Sequence, residues 1–354
     1  MFVIATILVS LSFNDSSDCD SLNTSNPPDE PTSLAVSVQH GFEVVSIVFA
    51  IIGILLNSAF LFTLYRVKEL QSATNVYLAN LAIADELLLV TRLTRVWTIV
   101  GRFSCGISYL LIYMFAFAPV FFISLVALER YMAICRPITH RQTNSRAKAL
   151  KLSLMAWIAS FVMVASHIGA FRINQTCLVL SKATHFSIHF TLCQMDSWAY
   201  VSIHVLDFCQ FLLACVGNCT LYICIIRSLN KRKCNARQRS KERNHVAKML
   251  SINACVFFIC AAPIQVLDLI RMILNVANYQ LKNPSLMVHL PVSIAVAVAT
   301  LNSAVNPIIY SVFNPDYRKA FCTAFTCTKH QSSLKIMSSE QLAHTAHGEE
   351  ECTL

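Results

Sequence analysis

Five polar side chains lie inside long apolar runs of the sequence, where groups that hydrogen-bond or ionise are rare. Asn302 and Asn306 are four residues apart, so they share one helix face and can point inward together. A polar group in hydrocarbon is costly and marks a functional site by default, although a lone Asn can act only as a contact between helices. A carboxylate there must be neutralised, hydrated or bound to a cation. The five residues are Asn57, Asp85, Asn302, Ser303 and Asn306.

Two short motifs stand at the ends of apolar runs, namely Glu129-Arg130-Tyr131 and Asn306-Pro307-Ile308-Ile309-Tyr310. Adjacent opposite charges can pair at a membrane edge. Breaking the pair of Glu129 with Arg130 would free a cation for the carbonyl groups of a protein partner. Pro263 and Pro307 each remove a backbone hydrogen bond, so each predicts a kink that can serve as a hinge.

No pattern in the sequence predicts an enzyme or a metal site. Many of the 15 cysteines lie inside apolar runs, where cysteine behaves as a small buried hydrophobe. None are spaced as C-x-x-C, which disfavours zinc. We therefore expect no catalytic residue, no metal ligand and no cofactor, with sodium at Asp85 as the one ion considered.

The composition excludes an ordinary soluble domain. Of the 354 residues, 55% are apolar and 13% are charged, and the mean hydropathy is +0.56. A soluble domain carries about 25% charged residues, which face the solvent. Too few charges are present to cover this chain, so lipid must cover much of its surface.

Seven apolar stretches are long enough to cross a bilayer, which takes about 20 residues. Their hydrophobicity extends all round the helix, as expected in lipid. The connections are short, so no second domain fits, and no internal repeat favours a transporter. We predict an all-α membrane protein, a seven-transmembrane helix bundle within 41–313, with spans near 42–65, 75–98, 104–135, 149–171, 198–226, 247–274 and 286–312.

Basic residues set the orientation of these spans. Most of the 28 lysines and arginines face the cytoplasm if the N-terminus is outside, and the positive-inside rule selects this arrangement. Asn218 stands in a glycosylation sequence but lies within the fifth span, so we discount it. The basic loop 227–243 is expected to meet anionic lipid and a protein partner rather than nucleic acid. Three other glycosylation sequences face the exterior, at Asn14, Asn23 and Asn174.

Both ends of the chain lie outside the bundle. Residues 1–40 form an extracellular N-terminus, expected to be disordered, whose apolar start is either a weak signal peptide or a plain apolar segment. Residues 314–327 carry aromatic residues every four positions, which predicts an amphipathic helix on the inner leaflet. Cys322 and Cys327 are placed for palmitoylation. The tail 328–354 offers serines that are either kinase sites or part of a plain polar tail.

Each apolar span contains a marker residue or motif, and these follow one another in a recognisable order: Asn57, Leu81-Ala82-x-x-Asp85, Cys105, Glu129-Arg130-Tyr131, Trp157, Tyr222, Pro263 and Asn306-Pro307-x-x-Tyr310. Any one motif alone is unspecific, but the set in this order is specific. From about Asn57 to Cys327 the sequence resembles the rhodopsin-like (class A) G-protein-coupled receptors, and it is closest in character to their peptide receptors.

This resemblance implies a plasma-membrane receptor that binds an extracellular ligand and activates heterotrimeric G proteins, without enzymatic activity. Arg130 would meet the G protein when the helices open, and Glu129 would hold it beforehand. Tyr222 and Tyr310 would swing inward to support the open state. Asp85 would lie in a polar core, where family members often hold sodium. Receptor kinases and arrestin would act on the tail.

Three positions depart from the family's pattern. The Trp that usually stands two residues before the proline of the sixth span is replaced by Ala261. The proline that usually stands eight residues before the tyrosine of the fifth span is replaced by Ala214. Pro119 replaces a small hydroxyl residue that often helps to bind sodium. The signalling motifs are therefore present, while the usual trigger beneath the ligand and the sodium site are altered.

The outer half of the bundle is predicted to bind the ligand through polar and charged side chains. Ile112 stands where amine receptors place an aspartate, and no lysine in the seventh span could hold retinal. An outer opening of the bundle that carries both positive and negative charges suits a peptide, which has both kinds of charge. These charges could instead pair with one another or extend to the lipid headgroups. The predicted pocket residues are Arg92, Arg95, Tyr113, His204, Asp207, Gln265, Asp268 and Arg271.

Other functions stay open beside a peptide receptor. A receptor for a lipid or a small neutral ligand would not need a charged mouth. The missing Trp keeps a constitutive or non-signalling relative in view. A transporter or channel is the least favoured class, and it would move a solute without any effect of guanine nucleotides.

A disulfide follows from the resemblance and can be tested directly. Four cysteines face the exterior, and they allow three pairings: Cys19, Cys105, Cys177 and Cys193. The family ties the top of the third span to the second outer loop, and the place of Cys193 just before the fifth span fits that spacing best. We predict a Cys105–Cys193 bond, with Cys19–Cys177 as the second. Non-reducing peptide mapping should recover Cys105 joined to Cys193, and finding it free or joined to Cys177 refutes the pairing.

Overall fold

The structure is a computed structural model of the chain, and it describes residues 10–11, 33–70, 72–94, 102–181, 186–231, 237–277 and 290–325. Helices fill most of these ranges. In chain order they are α1 (Ser33–Arg66), α2 (Ala73–Thr94), α3 (Arg102–Cys135), α4 (Pro137–Thr143), α5 (Arg146–Ala165), α6 (Ser197–Lys231), α7 (Arg237–Val276), α8 (Leu290–Phe313) and α9 (Pro315–Phe325).

The predicted bundle of seven spans is confirmed, with the spans as α1, α2, α3, α5, α6, α7 and α8. Within the described ranges, all of these except α2 are long and apolar enough to cross a membrane. α2 carries Asp85, Glu86 and Arg92 among its apolar residues. α1 begins at Ser33, inside the N-terminal segment that we expected to be disordered. A search for apolar stretches detects only the part of a helix that lies in lipid. It therefore places the start of α1 too late.

A β-hairpin between α5 and α6 differs from the predicted all-α fold. β1 (Ser10–Leu11) pairs with β3 (Phe186–Met195), which also pairs antiparallel with β2 (Phe171–Ser181). This segment is rich in Phe, Ile, Thr and Val, which favour strands. It lies at the outer end of the bundle, where water and neighbouring strands can satisfy backbone groups. The seven-helix bundle is unaffected.

The register of the hairpin bears on the choice among disulfides. Cys177 lies opposite His189, whereas Cys193 lies opposite Ile173. The two cysteines are therefore offset by four residues, or about 13 Å along the strands. A disulfide needs its Cα atoms within about 7 Å, so the hairpin does not bridge its own two cysteines. The Cys105–Cys193 bond stays a prediction, because those side chains lie outside the described part of the chain.

α3 lies at the centre of the bundle and contacts α2, α5, α6 and α7. Its side chains Phe117 and Phe122 are fully buried. Trp157 of α5 packs edge-on against Phe122, with ring centroids 5.5 Å apart. The indole Nε1 of Trp157 donates a hydrogen bond to Asn80 Oδ1 of α2 at 3.0 Å. Dispersion and interhelical hydrogen bonds hold helices together in lipid, where the hydrophobic effect between them is absent.

α1 and α8 approach each other closely at Gly53. A Cβ atom added there would lie 2.6 Å from Leu89 Cδ1 and 3.0 Å from Ala304 Cβ, so only glycine fits without a shift. Asn57, one turn along α1, thereby reaches α8. Its Nδ2 donates to the carbonyl of Ser303 at 2.9 Å and to that of Gly53 at 2.9 Å. Small residues at helix contacts are a common means of close packing in membranes.

α9 is fastened to the bundle at both ends. Buried Asn314 precedes it, and its Oδ1 accepts a hydrogen bond from the backbone N–H two residues on at 2.9 Å. Pro315 follows at the first helical position, where no backbone donor is lost. Tyr317 and Ala324 are buried against the bundle. Arg66 of α1 donates to the carbonyl of Ala324 at 2.8 Å. The predicted amphipathic helix is therefore present, with one face bound to protein.

The close contact at Gly53 predicts a stability difference. Replacing Gly53 with Val should lower the free energy of unfolding by about 1–3 kcal/mol, the usual cost of overpacking. Gly41→Val in the same helix is the matched control, because nothing lies within 4 Å of its added Cβ. Thermal unfolding of the detergent-solubilised protein measures both variants. Equal melting temperatures for the two would rule out the tight α1–α8 contact.

Candidate functional site

The carboxylate of Glu129 is the centre of a polar cluster near the C-terminal end of α3, which is the predicted cytoplasmic end. Its Oε2 lies 3.3 Å from Arg130 Nε and accepts a hydrogen bond from Thr74 Oγ1 of α2 at 2.7 Å. Its Oε1 lies 3.0 Å from His140 Nε2 on α4. Arg130 Nη2 in turn donates to Thr74 Oγ1. The Arg130 guanidinium is thereby held against α2, and the same carboxylate connects α4 to α3.

Two buried tyrosines hold the cytoplasmic half of α7. Tyr222 of α6 donates its hydroxyl to the carbonyl of Leu250 at 3.1 Å. Tyr310 of α8 accepts a hydrogen bond from Asn253 Nδ2 at 3.5 Å. A small cavity lined by Ile123 and Tyr222, among others, lies beside them, with room for about one water. A displacement of α7 would break the hydrogen bonds of both tyrosine hydroxyls.

Tyr317 connects α9 to the same region. Its hydroxyl donates to Asn75 Oδ1 of α2, and its ring lies 6.0 Å from that of Tyr310. Asn75 Nδ2 donates to the carbonyl of Leu70, just before α2. Burial raises the pKa of Tyr317 above its usual range, against the opposing effects of the Arg130 charge and the bond to Asn75. The phenol therefore keeps its proton and remains a donor at cellular pH.

Asp85 lies in a buried polar group between α2 and α8. Asn306 Nδ2 donates to Asp85 Oδ2 at 2.7 Å, and the Ser303 side chain also lies beside this carboxyl group. Asn57 joins the group through its bond to the Ser303 carbonyl. Asn302 is buried next to them, and its Oδ1 has no hydrogen-bond partner within the described residues. The structure therefore brings together four of the five polar residues singled out from the sequence, and the fifth, Asn302, is buried beside Ser303 in the chain.

This polar group offers a cation only part of a site. Hard cations prefer oxygen ligands, and the Asp85 carboxylate and Asn302 Oδ1 are of that kind. α3 brings no side-chain oxygen at the position of Pro119. The side-chain oxygens of this group that could hold sodium come from α1, α2 and α8, and those of Asn57 and Asn302 have no hydrogen-bond partner among the described residues.

His204 of α6 is the centre of a second cluster, in the outer half of the bundle. Its side chain is 8% exposed. Nε2 lies 3.5 Å from the Tyr113 hydroxyl of α3, and Nδ1 lies 3.9 Å from Asp268 Oδ2 of α7. Arg271 Nη1 contacts Asp268 Oδ1 at 3.1 Å. Tyr200 packs edge-on against the imidazole, with centroids 4.4 Å apart. Side chains of three helices therefore meet around one buried ring.

The other predicted pocket residues in the described ranges form hydrogen bonds with groups other than His204. Gln265 Nε2 of α7 donates to Asp207 Oδ2 of α6 at 2.8 Å. Arg92 of α2 donates through Nη1 to Thr300 Oγ1 of α8. These bonds and the contact of Arg271 with Asp268 show that the charged side chains are paired with other groups of the bundle. Pairing among the charges is one of the two interpretations left open by the sequence.

Aromatic side chains belong to the same hydrophobic core as Ala261, which stands where the family usually has Trp. Phe211 of α6 and Phe258 of α7 pack edge to face with centroids 5.6 Å apart, and Ala261 packs against the same core. Just above, Gln210 Nε2 of α6 donates to the carbonyl of Phe117 on α3 at 3.1 Å.

Several residues of these clusters were not predicted: Thr74, Asn75, His140, Tyr200 and Asn253. Asn75 and Asn253 are buried in apolar helices, as Asn57 is. The same pattern, a polar residue within an apolar run, could therefore have identified them. Thr74, His140 and Tyr200 lie near helix ends, where polar residues are ordinary. No sequence signal separates them from their neighbours.

Some predicted sites lie outside the described residues, either entirely or in their side chains: Arg95, Cys105, Cys193, Asn14, Asn23, Asn174 and Cys327. Cys322 is described, and it is exposed on α9. Asn218 is 2% exposed in α6, and its Nδ2 donates to Ser124 Oγ at 3.0 Å. This burial agrees with its exclusion as a glycosylation site.

Comparison with known proteins agrees with the motifs and the fold. The chain is 23% identical to somatostatin receptor type 1 of Rattus norvegicus over 289 residues, which cover 77% of this chain and 68% of that receptor. The family model of the 7 transmembrane receptors (rhodopsin family) matches residues 56–310. That range includes the Glu129 cluster and ends on Tyr310, and the family consists of receptors rather than enzymes. The chain therefore belongs to the rhodopsin family of seven-transmembrane receptors.

Proposed function

We propose that the protein is a plasma-membrane receptor, with its N-terminus outside, that binds an extracellular peptide and activates heterotrimeric G proteins. The observation that carries the coupling is the Glu129 cluster. It holds Arg130 at the cytoplasmic end of α3 by an ion pair and hydrogen bonds, all of which a moving helix or an arriving partner can exchange. Family membership supports the same conclusion.

A displacement of α7 is the proposed step between ligand and G protein. Its outer half carries Asp268 and Arg271, and its inner half is held by the bonds of Tyr222 and Tyr310. Pro263 lies between the two halves and interrupts the backbone hydrogen bonds of the helix. A change of contacts in the outer half can therefore bend α7 and break the inner bonds.

Release of Arg130 is the proposed output of this motion. The side chains of Arg130 and Glu129 are 19% and 11% exposed, so their ion pair lies at the edge of the bundle. An inserted peptide segment with free carbonyl groups would compete with Thr74 and Glu129 for the guanidinium. Charge-assisted hydrogen bonds are strong enough to stabilise such a complex. Tyr131, the next residue, is half-buried and packs against the α3 core.

A peptide is the ligand class that the outer cluster supports best. His204, Tyr113 and Tyr200 offer aromatic contacts, and Asp268 with Arg271 offers both signs of charge. A peptide has both kinds of group. The similarity to a somatostatin receptor supports the same class.

A lipid or small neutral ligand is the second candidate, and one observation favours it. Asp268 is already paired with Arg271, and Asp207 is bonded to Gln265. A neutral ligand would leave these bonds intact, whereas a peptide must exchange some of them. The absence of Trp at Ala261 keeps a non-signalling or constitutive relative as a further alternative.

Modifications and further partners belong to the same proposal. Receptor kinases and arrestin would act on the tail, and palmitoylation at Cys322 and Cys327 would anchor α9. Exposure of the Cys322 thiol beside the bundle supports the first of these two anchors. Glycosylation at Asn14, Asn23 and Asn174 would mark the outer face.

The Glu129 cluster predicts opposite effects for its two charged residues. Arg130→Ala should abolish nucleotide exchange while surface level and ligand binding persist, because the residue that meets the G protein is lost. Glu129→Gln should raise basal exchange about three- to tenfold, since a lost hydrogen bond to a charge is worth about 1 kcal/mol at this partly exposed edge. Nucleotide exchange in membranes of transfected cells measures both.

His140 provides a graded control for this prediction. His140→Phe keeps a ring on α4 but removes its contact with Glu129, so basal exchange should rise less than for Glu129→Gln. Thr143→Val is the matched variant on the same helix, because the Thr143 hydroxyl donates to the Thr139 carbonyl of α4 itself. Normal signalling by Arg130→Ala, or an equal response to His140→Phe and Thr143→Val, contradicts the proposed restraint.

The ligand class is tested by exchanging the paired charges of α7. Asp268→Arg alone places two cations together, so surface expression should fall. The double variant Asp268→Arg/Arg271→Asp restores the pair and should restore expression. A charged peptide agonist found by library screening should bind this double variant more weakly by about 2–5 kcal/mol, and its charge-swapped analogue should recover part of the loss.

Binding curves for the native and charge-swapped peptides on the double variant decide between the two ligand classes. The control is Asp268→Asn, which keeps the shape and removes one charge only. If a well-expressed double variant binds and responds with unchanged affinity, the charges do not contact the ligand. A lipid or small neutral ligand then becomes the better assignment.

A further inference from the structure

Two departures from the family's pattern concern proline, and neither has a part in the motion of α7. Ala214 stands where the family usually has the proline of the fifth span, and α6 contains no proline from Ser197 to Lys231. Pro119 instead lies inside α3. A proline within a helix removes the hydrogen bond to the carbonyl four residues earlier, which here belongs to Phe115. The interrupted helix is therefore α3, and its neighbour α6 is continuous.

Gln210 of α6 contacts α3 at this interruption. Its Nε2 donates to the carbonyl oxygen of Phe117, two residues before Pro119, at 3.1 Å. A helix carbonyl points toward the C-terminal end, so this oxygen lies at the level of the proline. It has two lone pairs and can accept this bond beside a bond within α3. The amide of Gln210 thus joins α6 to α3 at the level of Pro119.

The second polar atom of this amide indicates that Gln210 does more than pack. Gln210 Oε1 is buried and has no hydrogen-bond partner in the part of the chain that the structure describes. The acceptor on α3 is a carbonyl, so only the amide nitrogen can face it, and the orientation of the amide is thereby determined. A polar group inside a membrane helix is costly and marks a functional residue by default.

A second amide of α6 contacts α3 two turns further toward the predicted cytoplasmic side. Asn218 Nδ2 donates to Ser124 Oγ at 3.0 Å and to the Ala214 carbonyl of its own helix at 2.7 Å. Ser124 follows Pro119 in α3, whereas Phe117 precedes it. The two amide contacts therefore lie on opposite sides of the proline, and α6 holds both halves of α3 in one relative orientation.

The two halves of α3 carry different sites. Tyr113 faces His204 of the outer cluster, with ring centroids 6.0 Å apart, and its ring lies 6.4 Å from that of Phe117, one turn later. Arg130 stands eleven residues after Pro119, or about 16 Å along the helix. A bend at Pro119 therefore changes the position of Arg130 relative to Tyr113.

We propose that α3 bends at Pro119 during activation and that Gln210 is the positioning residue that holds its resting orientation. This inference rests on the proposed function, because it assigns a route by which a ligand beside Tyr113 acts on Arg130. A ligand that moves Tyr113 or Phe117 breaks the bond of Gln210 to the Phe117 carbonyl. The inner half of α3, with Arg130 near its end, then turns relative to the outer half. This motion accompanies the displacement of α7.

The test is a double-mutant cycle of Gln210 and Pro119, measured as basal nucleotide exchange in membranes that contain the full chain. Gln210→Met keeps the length of the side chain and removes the donor, so basal exchange should rise about two- to fivefold, as expected for one lost interhelical hydrogen bond. Pro119→Ala restores the helix bond to the Phe115 carbonyl and removes the hinge. On this background, Gln210→Met should change the exchange rate by less than about 1.5-fold, because the two effects are coupled. The control is Thr220→Val, which should behave as the wild type, because the Thr220 hydroxyl donates to the Val216 carbonyl of α6 itself.

The melting temperatures of the wild type, the single variants and the double variant in lipid nanodiscs give a second measurement that needs no G protein. The shift of the double variant should differ from the sum of the single shifts by about 1 °C or more. The proposal is overturned by additive melting shifts, by equal basal exchange of Gln210→Met and Thr220→Val, or by an undiminished effect of Gln210→Met on the Pro119→Ala background. Coupled melting shifts in a chain that shows no nucleotide exchange at all would contradict the proposed function and still support the hinge.

Discussion

Lipid tails offer no hydrogen bond, so a polar side chain inside the bundle must find its partner on another helix or leave a costly group unsatisfied. This constraint explains most of the contacts that fix the helices relative to one another. Asn57 joins α1 to α8, Asp85 joins α2 to α8 through Asn306, and Trp157 joins α5 to α2 through Asn80. Apolar surfaces alone could slide past each other, whereas these bonds require one particular register.

The same constraint makes the cytoplasmic half able to change state. Tyr222 and Tyr310 hold α7 by one hydrogen bond each, and Glu129 holds Arg130 at an edge that water and a partner protein can reach. Bonds of this kind can be exchanged one for another without leaving a buried group unpaired. α9 adds Tyr317 to the same network, so the surface helix is mechanically connected to the end of α8. A receptor can use such exchanges to couple a motion outside to a new contact inside.

The outer half satisfies the constraint differently from the family's usual arrangement. Phenylalanines of α6 and α7 pack in the same core as Ala261, and the buried imidazole of His204 contacts side chains from α3 and α7.

The amino-acid sequence alone determined the seven helices and the family and predicts the orientation of the helices, because apolar length, basic residues and ordered motifs are local properties of the chain. It also marked Asn57, Asp85, Asn302, Ser303 and Asn306, since polar residues stand out against apolar runs. It placed the start of α1 too late and missed the β-hairpin, because both lie outside the apolar stretches from which the fold was predicted. Only the tertiary structure showed that His140 and Thr74 share Glu129, that Asp268 pairs with Arg271, and that Glu86 faces outward while Asp85 faces inward. Those partners come from helices far apart in sequence, and their choice depends on how the helices rotate and pack, which no local pattern records.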